Sequence, residues 1–242
     1  MSEKQKEHLI ILPGWVTRYI IDRSRPITEF YEPLVPLLSG YDVRIVEFPG
    51  FGQTPEPPQP WSVDDFVEFL RVELDRAGIE RTHLLGHSFG GQVAVRFAFR
   101  YPDRVGKLIL YNAACLREKN LKVELMGKLK NVGGFIFRFV PPLRKVFYKL
   151  AVGSTDYTRL SPVMRETMGR IVREDFGGIL PHLSQETLVL WGSADKVTPL
   201  REGLTIKRLI PRAKMVVHPG GHSFHRTDPQ TFASYLKNFL KP

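Results

Sequence analysis

Gly86-His87-Ser88-Phe89-Gly90 is the segment of this chain with the clearest chemical content. A serine hydroxyl is a poor nucleophile until a base takes its proton, and in a G-x-S-x-G pattern the serine stands exposed on a sharp strand-to-helix turn. Glycines on either side supply the lack of bulk that such a turn needs, and Gly91 extends the smooth surface. Alone, the pattern arises by accident in about one chain in ten of this length. Its setting gives it weight. The apolar run Thr82–His87 (THLLGH) precedes it and the mostly apolar stretch Phe89–Arg100 follows. Ser88 therefore falls where a buried strand turns into a buried helix. A helix N-terminus aimed at the serine favours developing negative charge.

The proton acceptor must come from elsewhere in the chain. His222, in Pro219-Gly220-Gly221-His222, directly follows the strand Lys214–Val217. A loop at a strand's C-terminal end is where open α/β sheets keep their sites. His218 and His225 are close rivals, and His87 lies on the serine turn itself. An imidazole base needs an acid to fix its tautomer and stabilise its charged form. Asp195 lies in the loop after the strand Thr187–Trp191, although an Asp there is equally suited to opening the helix that follows Val197-Thr198-Pro199. Two backbone donors are expected to receive the negative charge: the amide of Phe89 and the amide of Trp15, in the Leu12-Pro13-Gly14-Trp15 loop. Gly14 would let substrate approach the backbone closely. Gly14, Trp15, Tyr19 and Phe89 are the expected substrate contacts.

The elements that must position these residues alternate. Strands are expected at His8–Leu12, Tyr41–Phe48, Thr82–His87, Val105–Tyr111, Thr187–Trp191 and Lys214–Val217. Helices are expected from Thr28 to Leu38, from Ser62 to about Gly78 with Asp65 completing a capping-box-like start, from Phe89 to Arg100, near Leu200–Leu209, and from Asp228-Pro229 to Leu240. This is the signature of a mostly parallel sheet with helices on both faces. The alternation breaks from about Cys115 to Pro181. The reading is therefore a core of residues 1–114 and 183–242, with residues 115–182 inserted as a helical cap.

Composition narrows the function classes. The 242 residues are enough for one sizeable core, and no apolar stretch is long enough to span a membrane. The opening MSEKQKEH is polar, and the lone Cys115 fits a reducing compartment, so a soluble cytoplasmic protein is expected. There is no Walker pattern, no G-x-G-x-x-G after a strand and no metal-ligand spacing, so neither cofactor nor metal is expected. The net charge of +10 raises nucleic acid, anionic membrane or an acidic partner. It is unevenly spread. Residues 115–182 hold thirteen Lys and Arg against six Asp and Glu, while the rest of the chain holds twenty-two against nineteen. The segment Gly133–Val152 mixes aromatic and aliphatic residues with Arg138, Arg144, Lys145 and Lys149. It is suited to lining an acyl pocket and attracting an anionic substrate or an acidic carrier protein. The bland alternative is a solvated helical face. A small-molecule ester is the expected substrate, and nucleic acid is not expected.

Taken together, these residues resemble the α/β-hydrolase superfamily, and most of all its capped single-domain esterases, including the pimeloyl-acyl-carrier-protein methyl ester esterases. The likeness extends to Phe48-Pro49-Gly50-Phe51-Gly52, Tyr101-Pro102-Asp103-Arg104-Val105, the Trp191-Gly192 to Asp195 segment and Gly221-His222. It implies the α/β-hydrolase fold, a Ser88-Asp195-His222 triad in that chain order and hydrolytic chemistry, with ester or thioester cleavage first. Carbon–carbon bond hydrolysis of a ring-cleaved diketone, acyl transfer, or a ligand-binding receptor on the same fold are the alternatives. Serine at the turn argues against the epoxide hydrolases and haloalkane dehalogenases, which place Asp there. Two departures stand out. Pro13-Gly14 replaces the family's usual His-Gly, so hydrogen bonding in that loop must differ. Val16–Ile27 is longer than usual and carries Arg18, Tyr19, Arg23 and Arg25 beside the expected site, as a substrate flap or a solvated insertion.

Overall fold

In the computed structural model, residues 6–117 and 159–241 are described. Six strands form one all-parallel sheet: β1 (His8–Leu12), β2 (Asp42–Ile45), β3 (Thr82–His87), β4 (Val105–Tyr111), β5 (Glu186–Gly192) and β6 (Ala213–His218), in the order β2-β1-β3-β4-β5-β6. The four central strands are apolar runs and are largely buried, while the edge strands β2 and β6 are mostly only partly buried. Strands buried on both faces need continuous apolar runs, which is why these segments lack the polar alternation of a half-solvated sheet.

The α-helices among the described residues are α1 (Thr17–Ile21), α2 (Val63–Arg76), α3 (Phe89–Arg100), α4 (Pro162–Ile171), α5 (Leu200–Leu209), α6 (Phe224–Thr227) and α7 (Pro229–Leu240). The start of α2 follows its sequence signal, with the Ser62 amide donating to Asp65 Oδ2 at 2.7 Å. Asp228 Oδ1 accepts the Thr231 amide at 3.2 Å and caps α7. Among the described residues no helix is long and apolar enough to cross a membrane.

Two expectations need correction. The stretch Thr28–Leu38 is three short 3-10 turns, Ile27–Phe30, Glu32–Leu34 and Pro36–Leu38, rather than one helix. Pro33 and Pro36 have no amide hydrogen and cannot continue an α-helical ladder, yet the apolar spacing still buries Phe30, Leu34 and Leu38. The second strand is Asp42–Ile45 and not Tyr41–Phe48. After Val46 donates to Ile11 the chain leaves the sheet and carries Phe48 against Phe51, Phe66 and Phe89.

Residues 159–182, from the segment between β4 and β5, seat firmly on the core. Thr167 Oγ1 accepts the Trp61 amide at 3.0 Å, Glu174 Oε1 accepts the Val63 amide at 3.0 Å, and Arg170 donates to the Pro60 carbonyl at 2.7 Å. Met164 fills the space over Gly50, whose φ of +83° is a left-handed conformation that only glycine adopts easily. The basic segment Gly133–Val152 lies outside the described residues, so Arg138, Arg144, Lys145 and Lys149 carry no structural account.

Candidate active site

Ser88 sits between β3 and α3 with φ +51° and ψ −114°, a strained conformation for a residue with a side chain. The strain is held by packing. A Cβ on Gly86 would stand 2.5 Å from the Gly90 carbonyl oxygen, one on Gly90 2.1 Å from the Leu12 carbonyl oxygen, and one on Gly91 2.4 Å from Ala113 Cβ. Real side chains do not fit there, so the three glycines let α3 press against β1, β3 and the chain after β4. The Ser88 amide donates to Tyr111 and its carbonyl accepts from Gly91 and Ala114. The turn is therefore tied on both sides. His87 and Phe89 are buried while Ser88 is half-exposed.

His222 and Asp195 meet beside this turn. His222 Nδ1 lies 2.7 Å from Asp195 Oδ2, and the carboxylate side chain is fully buried against a 21% exposed imidazole. Burial alone would raise the Asp195 pKa. The hydrogen bond and charge of His222, with hydrogen bonds from Thr198 and the Val197 amide, outweigh it and hold the carboxyl below its ordinary value. Asp195 Oδ1 accepts the amides of Val197 and Thr198 at 2.7 and 3.0 Å. Asp195 does not open the following helix, which begins at Leu200 after Pro199; Oδ1 ties the loop before it, and Oδ2 faces the imidazole. The His222 ring lies 4.9 Å from the ring of His87, the residue before Ser88.

The rival histidines are otherwise engaged. His225 is fully buried, lies 3.1 Å from both the Tyr111 hydroxyl and the Phe30 carbonyl, and is pushed down to about 3, chiefly by burial. His218 stacks on Phe224 at 4.3 Å.

Gly14 lies against the serine turn: a Cβ there would meet Ser88 Cβ at 3.1 Å and His87 Nδ1 at 3.2 Å. The Phe89 amide opens α3, where no intrahelical acceptor exists. Trp15 packs edge-on to Phe51 and Phe89 at 5.2 and 5.9 Å, next to the buried rings of Phe48 and Phe66. Tyr19, expected among the substrate contacts, is 3% exposed, accepts from Arg18 at 3.2 Å and packs on Phe30. The Val16–Ile27 stretch is thus partly core, through Tyr19, Ile20 and Ile27, and partly solvated.

Sequence reasoning missed Asn112. It follows β4 directly at φ +43° and is fully buried. Its Oδ1 accepts the Gly192 amide at 2.8 Å, and its Nδ2 donates to the His222 carbonyl at 2.8 Å and to the Gly221 carbonyl at 3.3 Å. One side chain thereby joins the ends of β4, β5 and β6. Thr198 was also missed: its hydroxyl lies 2.8 Å from Asp195 Oδ2.

The alpha/beta hydrolase fold family model matches residues 7–177, and the chain belongs to that family. A relative from Paraburkholderia phymatum, named 2-hydroxy-6-oxononadienedioate/2-hydroxy-6-oxononatrienedioate hydrolase, is 30% identical over 84% of this chain and 77% of its own. A protein of Caulobacter segnis whose name proposes a carbamate hydrolase is 27% identical over 76% of this chain and 75% of its own. In fold, the chain is similar to the meta-cleavage product hydrolase of Pseudomonas fluorescens, with a TM-score of 0.70 at 24% identity, over 98% of this chain and 91% of that one.

Proposed function

We propose that this α/β hydrolase cleaves a carboxylic ester or thioester through an acyl-serine intermediate. Ser88 is the nucleophile, His222 the general base and Asp195 the residue that orients it. The observation that carries this reading is the His222–Asp195 pair, at 2.7 Å, placed beside the strained Ser88 turn. With Nδ1–H committed to Asp195, the other ring nitrogen of His222 is the proton acceptor. Ser88 Oγ attacks the substrate carbonyl carbon while His222 takes the hydroxyl proton. The negative charge forms on the carbonyl oxygen, toward the amides of Phe89 and Trp15. Collapse breaks the bond to the leaving alcohol or thiol, which receives the proton from His222. Water then attacks the acyl-serine, losing its proton to His222, and the acid leaves as Ser88 recovers its hydrogen.

A second reading is favoured by the names of the relatives. It is hydrolysis of a carbon–carbon bond beside a ketone in a dicarboxylic dienoic acid. That reaction adds a demand: a carbon leaving group must be protonated. In ester cleavage the protonated His222 gives its proton directly to an oxygen or sulfur leaving group. The deciding experiment presents purified protein with p-nitrophenyl esters of graded chain length, acyl thioesters and a 2-hydroxy-6-oxo-dienedioate, with Ser88→Ala as control. Ser88-dependent turnover strongest on the esters or thioesters supports the first reading. Preference for the dienedioate by a hundredfold or more in kcat/KM replaces it with the second.

A further inference from the structure

The triad leaves two buried polar side chains without a task, Tyr31 and His87. They are 0% and 1% exposed and come from distant parts of the chain. The Gly14 amide donates to Tyr31 Oη at 2.9 Å, Tyr31 Oη lies 2.8 Å from His87 Nδ1, and His87 Nε2 lies 2.9 Å from the His222 carbonyl oxygen. The donors follow from elementary chemistry. A carbonyl only accepts, so His87 Nε2 carries the hydrogen. The neutral ring then accepts at Nδ1, so the Tyr31 hydroxyl donates to it and uses a lone pair for the Gly14 amide. Burial, reinforced by the neighbouring His222 and His225, keeps His87 well below the ordinary imidazole range and so neutral. Stacking on Tyr111 at 4.4 Å fixes its ring plane.

One directional chain of hydrogen bonds thus runs from the Gly14-Trp15 loop, behind the nucleophile, to the backbone of the base. We propose that Tyr31 and His87 are positioning residues. Tyr31 sets the Gly14-Trp15 loop so that the Trp15 amide faces the developing oxyanion, and His87 holds the His222 loop by its carbonyl. This rests on the triad reading above. It also accounts for the Pro13-Gly14 departure: Pro13 brings no amide hydrogen, and the loop is anchored instead by a tyrosine hydroxyl on the Gly14 amide. Rates are steep in such placement, because donors stabilise the transition state only where the oxyanion forms.

The test needs no knowledge of the natural substrate. A fluorophosphonate labels an activated serine, and its attack passes through the same base and oxyanion donors. Ser88 labelling rate, kcat and KM on the best ester of the panel, and Tm are measured for the wild type, Ser88→Ala, Tyr31→Phe, His87→Gln and His87→Asn. Tyr31→Phe is expected to slow labelling and lower kcat at least tenfold, with KM within twofold. Asn at position 87 can still accept from Tyr31 but falls short of the His222 carbonyl, whereas Gln reaches that carbonyl with its amide and loses the Tyr31 acceptor. In double variants Tyr31→Phe should therefore cost its full factor on top of His87→Asn and a smaller but still measurable factor on top of His87→Gln, where the hydroxyl keeps the Gly14 amide but loses the acceptor that orients it. If Tyr31→Phe labels and turns over at the wild-type rate, with or without a lower Tm, the two residues are structural only and the proposal is overturned. If the His87 variants do not fold, Tyr31→Phe alone decides. Wild-type protein that is not labelled at Ser88 strikes the triad reading instead.

Discussion

Asp195 meets His222 through a single oxygen. Oδ2 stands 2.7 Å from the imidazole Nδ1, while Oδ1 is committed to the amides of Val197 and Thr198. The carboxylate cannot swing away without giving up two backbone bonds, so the imidazole is held in one orientation and one tautomer.

This relationship makes a sharp expectation for Asp195→Asn. The new amide keeps its oxygen on the two loop amides and turns its NH2 toward Nδ1, which forces the imidazole into the wrong tautomer. Fold and Tm should be nearly preserved while kcat falls by roughly 10³–10⁴. Ser88→Ala and His222→Ala should fall at least as far. Combining any two should add little, since the three act as one unit. Steady-state kinetics on an activated ester checks this, and wild-type turnover by Ser88→Ala would refute the nucleophile assignment.

Acidity should lower stability through a buried histidine. His225, at about 3 in the folded protein, stays neutral throughout. Its unfolded pKa is about 6.5. Between those values the unfolded chain binds a proton that the folded chain refuses, so stability falls as pH drops below about 6.5, by up to ~1.4 kcal/mol per pH unit. His87 acts in the same direction. Urea unfolding at pH 7, 6 and 5 should show this decline. His225→Gln should be less stable at pH 7 but lose stability less steeply toward pH 5; an unchanged slope would count against the assignment.

Gly90→Ala should be far worse than an exposed glycine substitution. Its Cβ would sit 2.1 Å from the Leu12 carbonyl oxygen, and backbone at the C-terminal end of β1 has no room to give. A cost of about 3 kcal/mol is expected. Gly40→Ala, with nothing nearby, is the control. Chemical denaturation of the two proteins makes the comparison.

Arg138, Arg144, Lys145 and Lys149 lie outside the described residues, and their charge is tested in solution. Reversing two or three of them to Glu should raise KM for an anionic substrate and leave a small neutral ester unchanged. The effect should fade with salt, because screening acts over about 10 Å at 0.1 M. Equal changes for both substrates would make the charge a matter of solvation.

The strands and the serine turn were legible because their signals are local: apolar runs of strand length, and glycines where no Cβ fits. Asp195 and His222 were legible because each follows a strand. Tyr31, Asn112 and Thr198 were not, because their roles exist only once the strand ends converge. Nothing in the spacing of Tyr31 from His87 announces a hydrogen bond. Asn112 left one faint trace, an asparagine at the end of an apolar run, where a left-handed residue is often needed. The Thr28–Leu38 error has a plain source: helical spacing was read past Pro33 and Pro36.

The Val63 amide at the head of α2 is accepted by Glu174, and the Trp61 amide just before it by Thr167, both from residues that follow β4. Glu174 also faces Arg96 on α3 at 3.6 Å. The inserted segment is therefore not an exchangeable module along its whole length. A chimera that replaced residues 115–182 with the matching stretch of a relative would leave the Val63 and Trp61 amides without these acceptors unless it brought its own acid and hydroxyl to these places. Recombination to alter specificity should keep residues 159–182 with the core and make its joint upstream of them.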